Sequence, residues 1–257
     1  MVELELVSGD EALWAQIFTG DSPGPSPGVV IAHGFPSAPG TSSYSSMPAL
    51  AERISDSMAW NAMAFTARGI GRSKGHFSLG GWFDDLSVAV DTLAAHENTS
   101  AVWVVGFGTG GALAVSVGAA HPQVAGVATI GSPADFDDWA ENPEHLLAWA
   151  RELGAVSSDD FPLSFDNWSD ELRGFRAEQA AAELNKPLLV VHGSADDVVP
   201  QLDARAIADA HGAADLRIIV GGGHGLRHDP RAIALLLGWL DRQWHETSVL
   251  PTAEETG

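Results

Sequence analysis

The chain alternates short apolar runs with longer amphipathic stretches. The apolar runs are rich in Val, Ile and Ala, a composition typical of strands that are buried on both faces of a sheet. Such strands are predicted at residues 29–32, 59–65, 101–105, 124–130, 187–191 and 216–220. Because strands of this type belong to parallel sheets, most of the sheet is expected to be parallel.

The stretches between these runs have the period of a helix. In segment 82–95, the residues Leu86, Ala89, Val90 and Leu93 recur on one helical face. Asp84 and Asp85 precede them and are predicted to lie in an acidic first turn. The same period predicts further helices at residues 45–57, 110–120, 202–211 and 230–244.

Two segments depart from this alternation. Residues 2–7 and 12–18 flank the turn sequence Ser8-Gly9-Asp10, which predicts an antiparallel hairpin ahead of the parallel strands. Residues 133–184 contain no strand candidate and are rich in Asp, Glu and Trp. A structureless loop of that length is uncommon in a compact domain, so a helical cap is expected there.

We therefore predict one domain over residues 1–257. Its core is expected at about residues 1–132 and 185–247, its helical cap at about 133–184, and a flexible tail at 248–257.

Composition excludes several classes of protein. The 257 residues carry 13 Lys and Arg against 34 Asp and Glu, a formal net charge of −21, and they contain no Cys. Such acidity disfavours nucleic acid and membrane surfaces as partners. The absence of Cys excludes disulfide scaffolds and thiol nucleophiles, and no metal or other cofactor is expected. With no signal sequence apparent at the N-terminus, we expect a cytoplasmic protein.

Four short motifs follow predicted strands, at the edge where open α/β sheets place their sites. They are HGFPS at 33–37, GFGTGG at 106–111, HGSADDVVP at 192–200 and GGGHG at 221–225. A glycine-rich turn also suits a phosphate loop, but GFGTGG has neither the Lys-Ser/Thr pair of a Walker loop nor the glycine spacing of a dinucleotide fingerprint.

In order and spacing, these motifs resemble those of the α/β-hydrolase family over roughly residues 3–246. The phrase FTARGIGRSKGHFS at 65–78 is similar to that of small esterases, including cinnamoyl-esterase-like and acyl-peptidase-like members. The resemblance implies an α/β-hydrolase fold, a mostly parallel twisted sheet flanked by helices with a small helical cap.

The resemblance also implies the residues of the site. Family members carry a nucleophilic serine in a G-x-S-x-G elbow. Here the outer glycines match, but Gly108 stands at the nucleophile position. By the same resemblance Asp196 is the acid, His224 is the base, and the backbone N–H groups of Phe35 and Thr109 form the oxyanion hole.

Several neighbouring residues allow other interpretations. Asp197 adjoins Asp196 and is the alternative acid. Thr109 would serve as nucleophile only if the elbow shifted by one residue, which would place Phe107 where a small residue is needed. Ser37 and Ser132 are near enough in sequence to these motifs to reach the pocket. Structural roles are expected for His33, His192, Arg68 and Arg72, whereas His228 is expected to be solvated.

Three explanations of Gly108 stay open. The protein is a ligand-binding or regulatory pseudoenzyme, or it uses the His224–Asp196 pair as a general base on water or a substrate proton, or the glycine is an engineered replacement of a catalytic serine. The expected ligand is a small acyl, ester or aromatic molecule. An acidic cap would favour a neutral or cationic one, and the sequence leaves a homodimer open.

Overall fold

One eight-stranded sheet organises the protein. The structure is a computed structural model that describes residues 1–38 and 44–249. The strand order is β1-β2-β4-β3-β5-β6-β7-β8. The strands are β1 Val2–Ser8, β2 Glu11–Phe18, β3 Ser26–Ala32, β4 Asn61–Phe65, β5 Thr99–Phe107, β6 Val124–Ile130, β7 Leu188–Gly193 and β8 Asp215–Ile219.

The pairing confirms the predicted fold class. β1 pairs antiparallel with β2, and β2 pairs antiparallel with β4, so the predicted N-terminal hairpin forms one end of the sheet. All pairings from β4 through β3 to β8 are parallel. The carboxyl ends of β3, β5, β7 and β8 therefore meet at one edge, which places the four sequence motifs together.

Helices cover both faces of this sheet. The described residues form α1 Met47–Met58, α2 Leu79–Ala94, α3 Thr109–Ala120, α4 Asp137–Glu141, α5 Pro143–Glu152, α6 Phe165–Gly174, α7 Ala177–Glu183, α8 Gln201–His211 and α9 Pro230–Val249. The apolar faces of α1 and α9 belong to one buried cluster. Those of α2, α3 and α8 belong to another on the opposite face. Buried strands between two helical layers explain why most apolar runs read as continuous rather than alternating.

Two local predictions were wrong. The run 216–220 was expected to be buried on both faces, but β8 is an edge strand and its Arg217 is exposed. Helix α2 begins at Leu79, where the side chain of Ser78 caps it by accepting from the Gly81 N–H at 3.0 Å. Asp84 and Asp85 therefore lie in its second turn, and Asp85 is buried rather than placed to complement the helix dipole.

The segment between β6 and β7 contains the four helices α4 to α7. Helix α7 packs against α3, and α4 packs against α6. The Trp168 indole N–H donates to the Phe77 carbonyl at 3.2 Å, so this tryptophan joins the segment to the loop before α2. The division into a core and a cap within one domain stays a prediction.

At the C-terminus, α9 extends as far as Val249. The remainder of the predicted tail, residues 250–257, lies outside the described residues. No helix in the described part of the chain is both long and apolar enough to cross a membrane.

A buried ion pair joins the loop after β4 to α2. The Arg68 guanidinium donates to Asp85 from Nη2 at 2.6 Å and from Nε at 3.0 Å, and the Arg68 backbone N–H donates to the same carboxylate at 2.7 Å. The Asp85 side chain is fully buried. Arg72 pairs instead with Glu3 at the surface, at 2.7 Å. Both arginines thus make the structural ion pairs that the sequence indicated.

We expect Asp85→Asn to lower the free energy of unfolding by about 3–5 kcal/mol, because it leaves the Arg68 charge without its buried partner. Denaturant unfolding of the purified variant measures this. The exposed pair supplies the control, since Arg72→Gln should cost no more than about 1 kcal/mol. Equal losses in the two variants would contradict a special role for the buried pair.

Candidate active site

The site begins at the turn between β5 and α3. Gly108 occupies this turn with φ 53° and ψ −125°, a backbone conformation that residues other than glycine rarely adopt. Its N–H donates to the Ile130 carbonyl on β6 at 3.0 Å, and its own carbonyl accepts from the Gly111 N–H at 2.9 Å. The turn is therefore held by the neighbouring strand on one side and by the first turn of α3 on the other.

Close packing requires glycine at three neighbouring positions but not at Gly108. A Cβ at Gly106, Gly110 or Gly111 would overlap other atoms, in the case of Gly110 the His33 carbonyl. Among the described residues, the atoms nearest to a Cβ at Gly108 would be Gly34 Cα at 3.7 Å and His224 Nε2 at 3.9 Å. The elbow therefore has room for a side chain directly in front of the His224 ring.

The turn after β3 lies against this elbow. A Cβ at Gly34 would come within 2.9 Å of the Phe107 carbonyl, so only glycine permits the contact. The Phe35 ring packs against Phe77 at a centroid distance of 4.5 Å and against Trp139 at 5.5 Å. Phe35 lines the same cavity as Thr109, the first residue of α3, and backbone N–H groups in the first turn of a helix have no partner within it.

His33 stabilises the same turn through hydrogen bonds of its ring. It is buried, its Nδ1 lies 2.9 Å from the Gly34 carbonyl, and its Nε2 lies 3.0 Å from the Ala67 N–H. Because the carbonyl only accepts and the amide only donates, the ring must be neutral with its proton on Nδ1. Burial lowers the pKa of His33 to about 4, which agrees with this state. The predicted structural role fits these contacts.

The loops after β7 and β8 bring Asp196 and His224 together. His224 Nδ1 lies 3.1 Å from Asp196 Oδ2. The other oxygen, Oδ1, accepts from the N–H groups of Val198 at 3.0 Å and Val199 at 2.9 Å. The Asp196 side chain is fully buried, whereas that of His224 is 28% exposed. With Nδ1–H donated to the carboxylate, the lone pair of Nε2 is directed away from it, to the side of Gly108.

A second histidine lies against the same carboxylate. His192 is fully buried, and its Nε2 lies 3.0 Å from the Val199 carbonyl and 3.4 Å from Asp196 Oδ2. The sequence indicated a structural hydrogen-bonding role for His192 but not its contact with Asp196. Both residues belong to the HGSADDVVP motif, but only the folded loop brings the Asp196 carboxylate against the His192 ring.

A cavity of about 560 Å³ adjoins the elbow and His224, and its size suits a small organic ligand. Phe35, Gly108, Thr109 and His224 all line it. Aromatic rings from the segment after β6 complete one wall, and carboxylates lie near them. The remaining lining includes Phe136, Trp139, Trp149, Asp135, Asp138, Asp203 and Arg227.

The structure separates the alternatives that the sequence left open. Asp197 and His228 are exposed, and Asp196, not Asp197, contacts His224. Ser132 is buried with its hydroxyl next to that of Thr129, whereas Ser37 lines the cavity. Trp139 and Trp149 face the cavity, and Trp168 is in the core. The five residues predicted for the site thus converge, while their chemical roles stay predictions.

Within the described residues, no group of three or more His, Asp or Glu side chains is arranged to hold a metal ion. The expectation of a site without metal or cofactor stays a prediction.

The fold and the converging site define an α/β hydrolase. The family model of the serine aminopeptidases, S33, matches residues 24–159. This match covers more than half of the chain, and the protein therefore belongs to that family. No curated protein sequence matches the chain.

Solved structures share the fold at low identity. Est1E from Butyrivibrio proteoclasticus with bound ferulic acid is 16% identical, with a TM-score of 0.73 over 96% of this chain and all of that one. A putative α/β hydrolase from Agrobacterium tumefaciens is 18% identical, with a TM-score of 0.70 over 98% of this chain and all of that one. A proline iminopeptidase from Mycobacterium smegmatis is 16% identical, with a TM-score of 0.68 over 96% of this chain and all of that one. At such identities the likeness concerns the fold alone.

The protonation state of His33 predicts a pH dependence of stability. Its pKa is lower in the folded chain than in the unfolded one, so the unfolded state binds more protons between about pH 4 and 6.5 and stability falls as the pH is lowered through that range. His33 should account for about 2 kcal/mol of the loss between pH 7 and 4.5. Urea unfolding at both pH values should show a smaller loss in His33→Gln, and an unchanged loss would contradict this assignment.

Proposed function

We propose that the protein binds a small acyl, ester or aromatic ligand in the cavity and that His224, oriented by Asp196, acts as a general base on a water molecule or a substrate proton. One observation carries the proposal. His224 Nε2 is 3.9 Å from the place where a Cβ at residue 108 would stand, and no side chain of the described residues fills that place. A water molecule there would lie within reach of the base.

Backbone donors support the same proposal. An oxyanion hole formed by the N–H groups of Phe35 and Thr109 does not depend on a serine hydroxyl. When the nucleophile of a serine hydrolase is removed, roughly three to four decades of rate over water remain from binding and the oxyanion hole, as measured in subtilisin. We therefore expect slow hydrolysis by direct attack of water at the His224–Asp196 site.

The lining of the cavity supports an aromatic ligand. Trp139, Trp149 and Phe136 offer ring faces and edges to a bound molecule. Est1E, which has the same fold, was solved with ferulic acid, an aromatic acid. The cytoplasmic location, the possibility of a homodimer and the exclusion of nucleic acid and membrane partners belong to this proposal and rest on charge and composition alone.

A ligand-binding pseudoenzyme is the second candidate, and Gly108 itself favours it. Covalent acyl transfer at this position needs a hydroxyl or a thiol, and glycine supplies neither. In this case the cavity and its donors retain binding while the His224–Asp196 pair has no chemical task. The engineered replacement of a serine remains a third explanation of the same glycine.

Turnover of p-nitrophenyl esters separates the first two candidates. If His224 is a general base, then His224→Ala should remove most of the turnover, about 100-fold or more, and Asp196→Asn should also lower it. A fluorophosphonate that labels serine nucleophiles should leave the wild-type protein unmodified in mass spectrometry. Covalent labelling at any residue would refute hydrolysis without a nucleophile, and turnover that persists in His224→Ala would refute the general base.

Restoring the hydroxyl tests whether the remaining machinery is in working order. Gly108→Ser should create esterase activity and fluorophosphonate labelling, because the new side chain would face His224 Nε2. The positive φ should cost about 1–3 kcal/mol of stability. Gly108→Ala is the matched control, with the same backbone strain and no hydroxyl. A folded but silent Gly108→Ser would mean that the base or the oxyanion donors are not correctly placed.

A further inference from the structure

One arginine in the cavity wall has no hydrogen-bond or ion-pair partner in the described part of the chain. Arg227 lies in the short 3₁₀ turn Leu226–His228, three residues after His224, and it lines the cavity. Its guanidinium makes no hydrogen bond or ion pair with any described residue, and its Nε is buried without an acceptor. A buried guanidinium N–H without an acceptor is costly, because it has lost water and gained nothing in return.

This situation is unusual in so acidic a chain. Acidic side chains outnumber basic ones by 34 to 13. Other arginines form ion pairs with carboxylates, among them Arg68 with Asp85, Arg176 with Asp137, and Arg231 with Asp229. A lone guanidinium facing a cavity therefore points to an anionic partner outside the chain.

The carboxylates that line the cavity do not pair with Arg227. Asp135 lies 3.7 Å from Arg176, and Asp203 accepts from the Ala134 N–H at 3.1 Å. Burial raises the pKa of Asp203, and the neighbouring Asp135 and Asp138 add to that rise. These three carboxylates belong to α8 and to the segment that follows β6, whereas Arg227 and His224 share the loop after β8. The cavity thus carries opposite charges on different segments.

We propose that Arg227 binds a carboxylate group of the ligand. This inference rests on the proposed use of the cavity for a small acyl or aromatic molecule, and it adds the sign of the ligand's charge. A guanidinium presents a planar set of N–H donors that matches a carboxylate in two parallel hydrogen bonds. Such a ligand would supply the acceptor that the buried Nε lacks. The anionic group that this proposal places at the Arg227 wall differs from the neutral or cationic ligand expected from an acidic cap.

Binding of cinnamate and cinnamamide tests the proposal directly, since the two differ in the charge of one group. Isothermal titration calorimetry at pH 7 should show cinnamate binding at least about 10-fold more tightly to the wild-type protein. Arg227→Gln should weaken cinnamate about 10- to 100-fold and leave cinnamamide within about twofold. Arg227→Lys keeps the charge but not the paired donors, and it should fall between the two. Arg53→Gln, an exposed change of the same charge on α1, is the matched control.

Two results of these titrations would overturn the binding of a carboxylate by Arg227. Equal affinity for the acid and the amide in the wild-type protein would overturn the proposal. So would a preference for the acid that survives Arg227→Gln but disappears in His224→Ala, because the anion would then bind at the base. If ester turnover is absent but the Arg227-dependent preference is present, the general-base function fails and this inference stands. If turnover depends on His224 but cinnamate is not preferred over cinnamamide, the general-base function stands and the Arg227 inference fails.

Discussion

Close contact between backbone turns at the carboxyl edge of the sheet is the constraint on which the site depends. The turn after β3 touches the elbow after β5 at Gly34, and a Cβ on Gly110 would strike the His33 carbonyl. On the other side, Gly193 packs against the carbonyl of Gly222, and the Ala195 N–H donates to that carbonyl at 2.8 Å. These contacts leave no space for side chains. They bring the turns that carry Phe35 and Thr109 and the Asp196–His224 pair to one edge of the sheet.

Gly108 differs from these glycines, because space does not require it. Its positive φ is the strained geometry that presents a nucleophile in α/β hydrolases, and the neighbouring atoms leave room for a side chain. The chain thus keeps the strained turn without the hydroxyl that such strain ordinarily serves. What remains is a histidine whose Nδ1 contacts the Asp196 carboxylate, and a cavity that the same histidine lines. This arrangement favours direct use of water or simple binding over covalent catalysis.

Much of the fold was predictable because burial on both faces produces continuous apolar runs, and the buried strands β3 to β7 have them. Predictions failed where tertiary contacts override local pattern. Asp85 looked like a residue of a helix start, yet it is the buried partner of Arg68, which lies 17 residues earlier. At β8 the apolar run did not reveal an edge position, since pairing partners are not encoded in a single run. The convergence of Asp196 and His224 was indicated by the order of the motifs. The contact of His192 with Asp196 needed the folded loop.

The charge of the ligand is also difficult to predict from the sequence. Net charge is a property of the whole surface, whereas a ligand responds to groups within a few ångströms in a partly desolvated cavity. The acidic residues of the expected cap predicted a neutral or cationic ligand, because counting charges treats every carboxylate as equally available. In the structure, Asp135 and Asp203 already have partners, while Arg227 has none among the described residues. The charge that a ligand meets therefore depends on which segment of the lining it contacts. The loop after β8 offers the guanidinium of Arg227, whereas α8 and the segment after β6 offer the carboxylates of Asp203, Asp135 and Asp138.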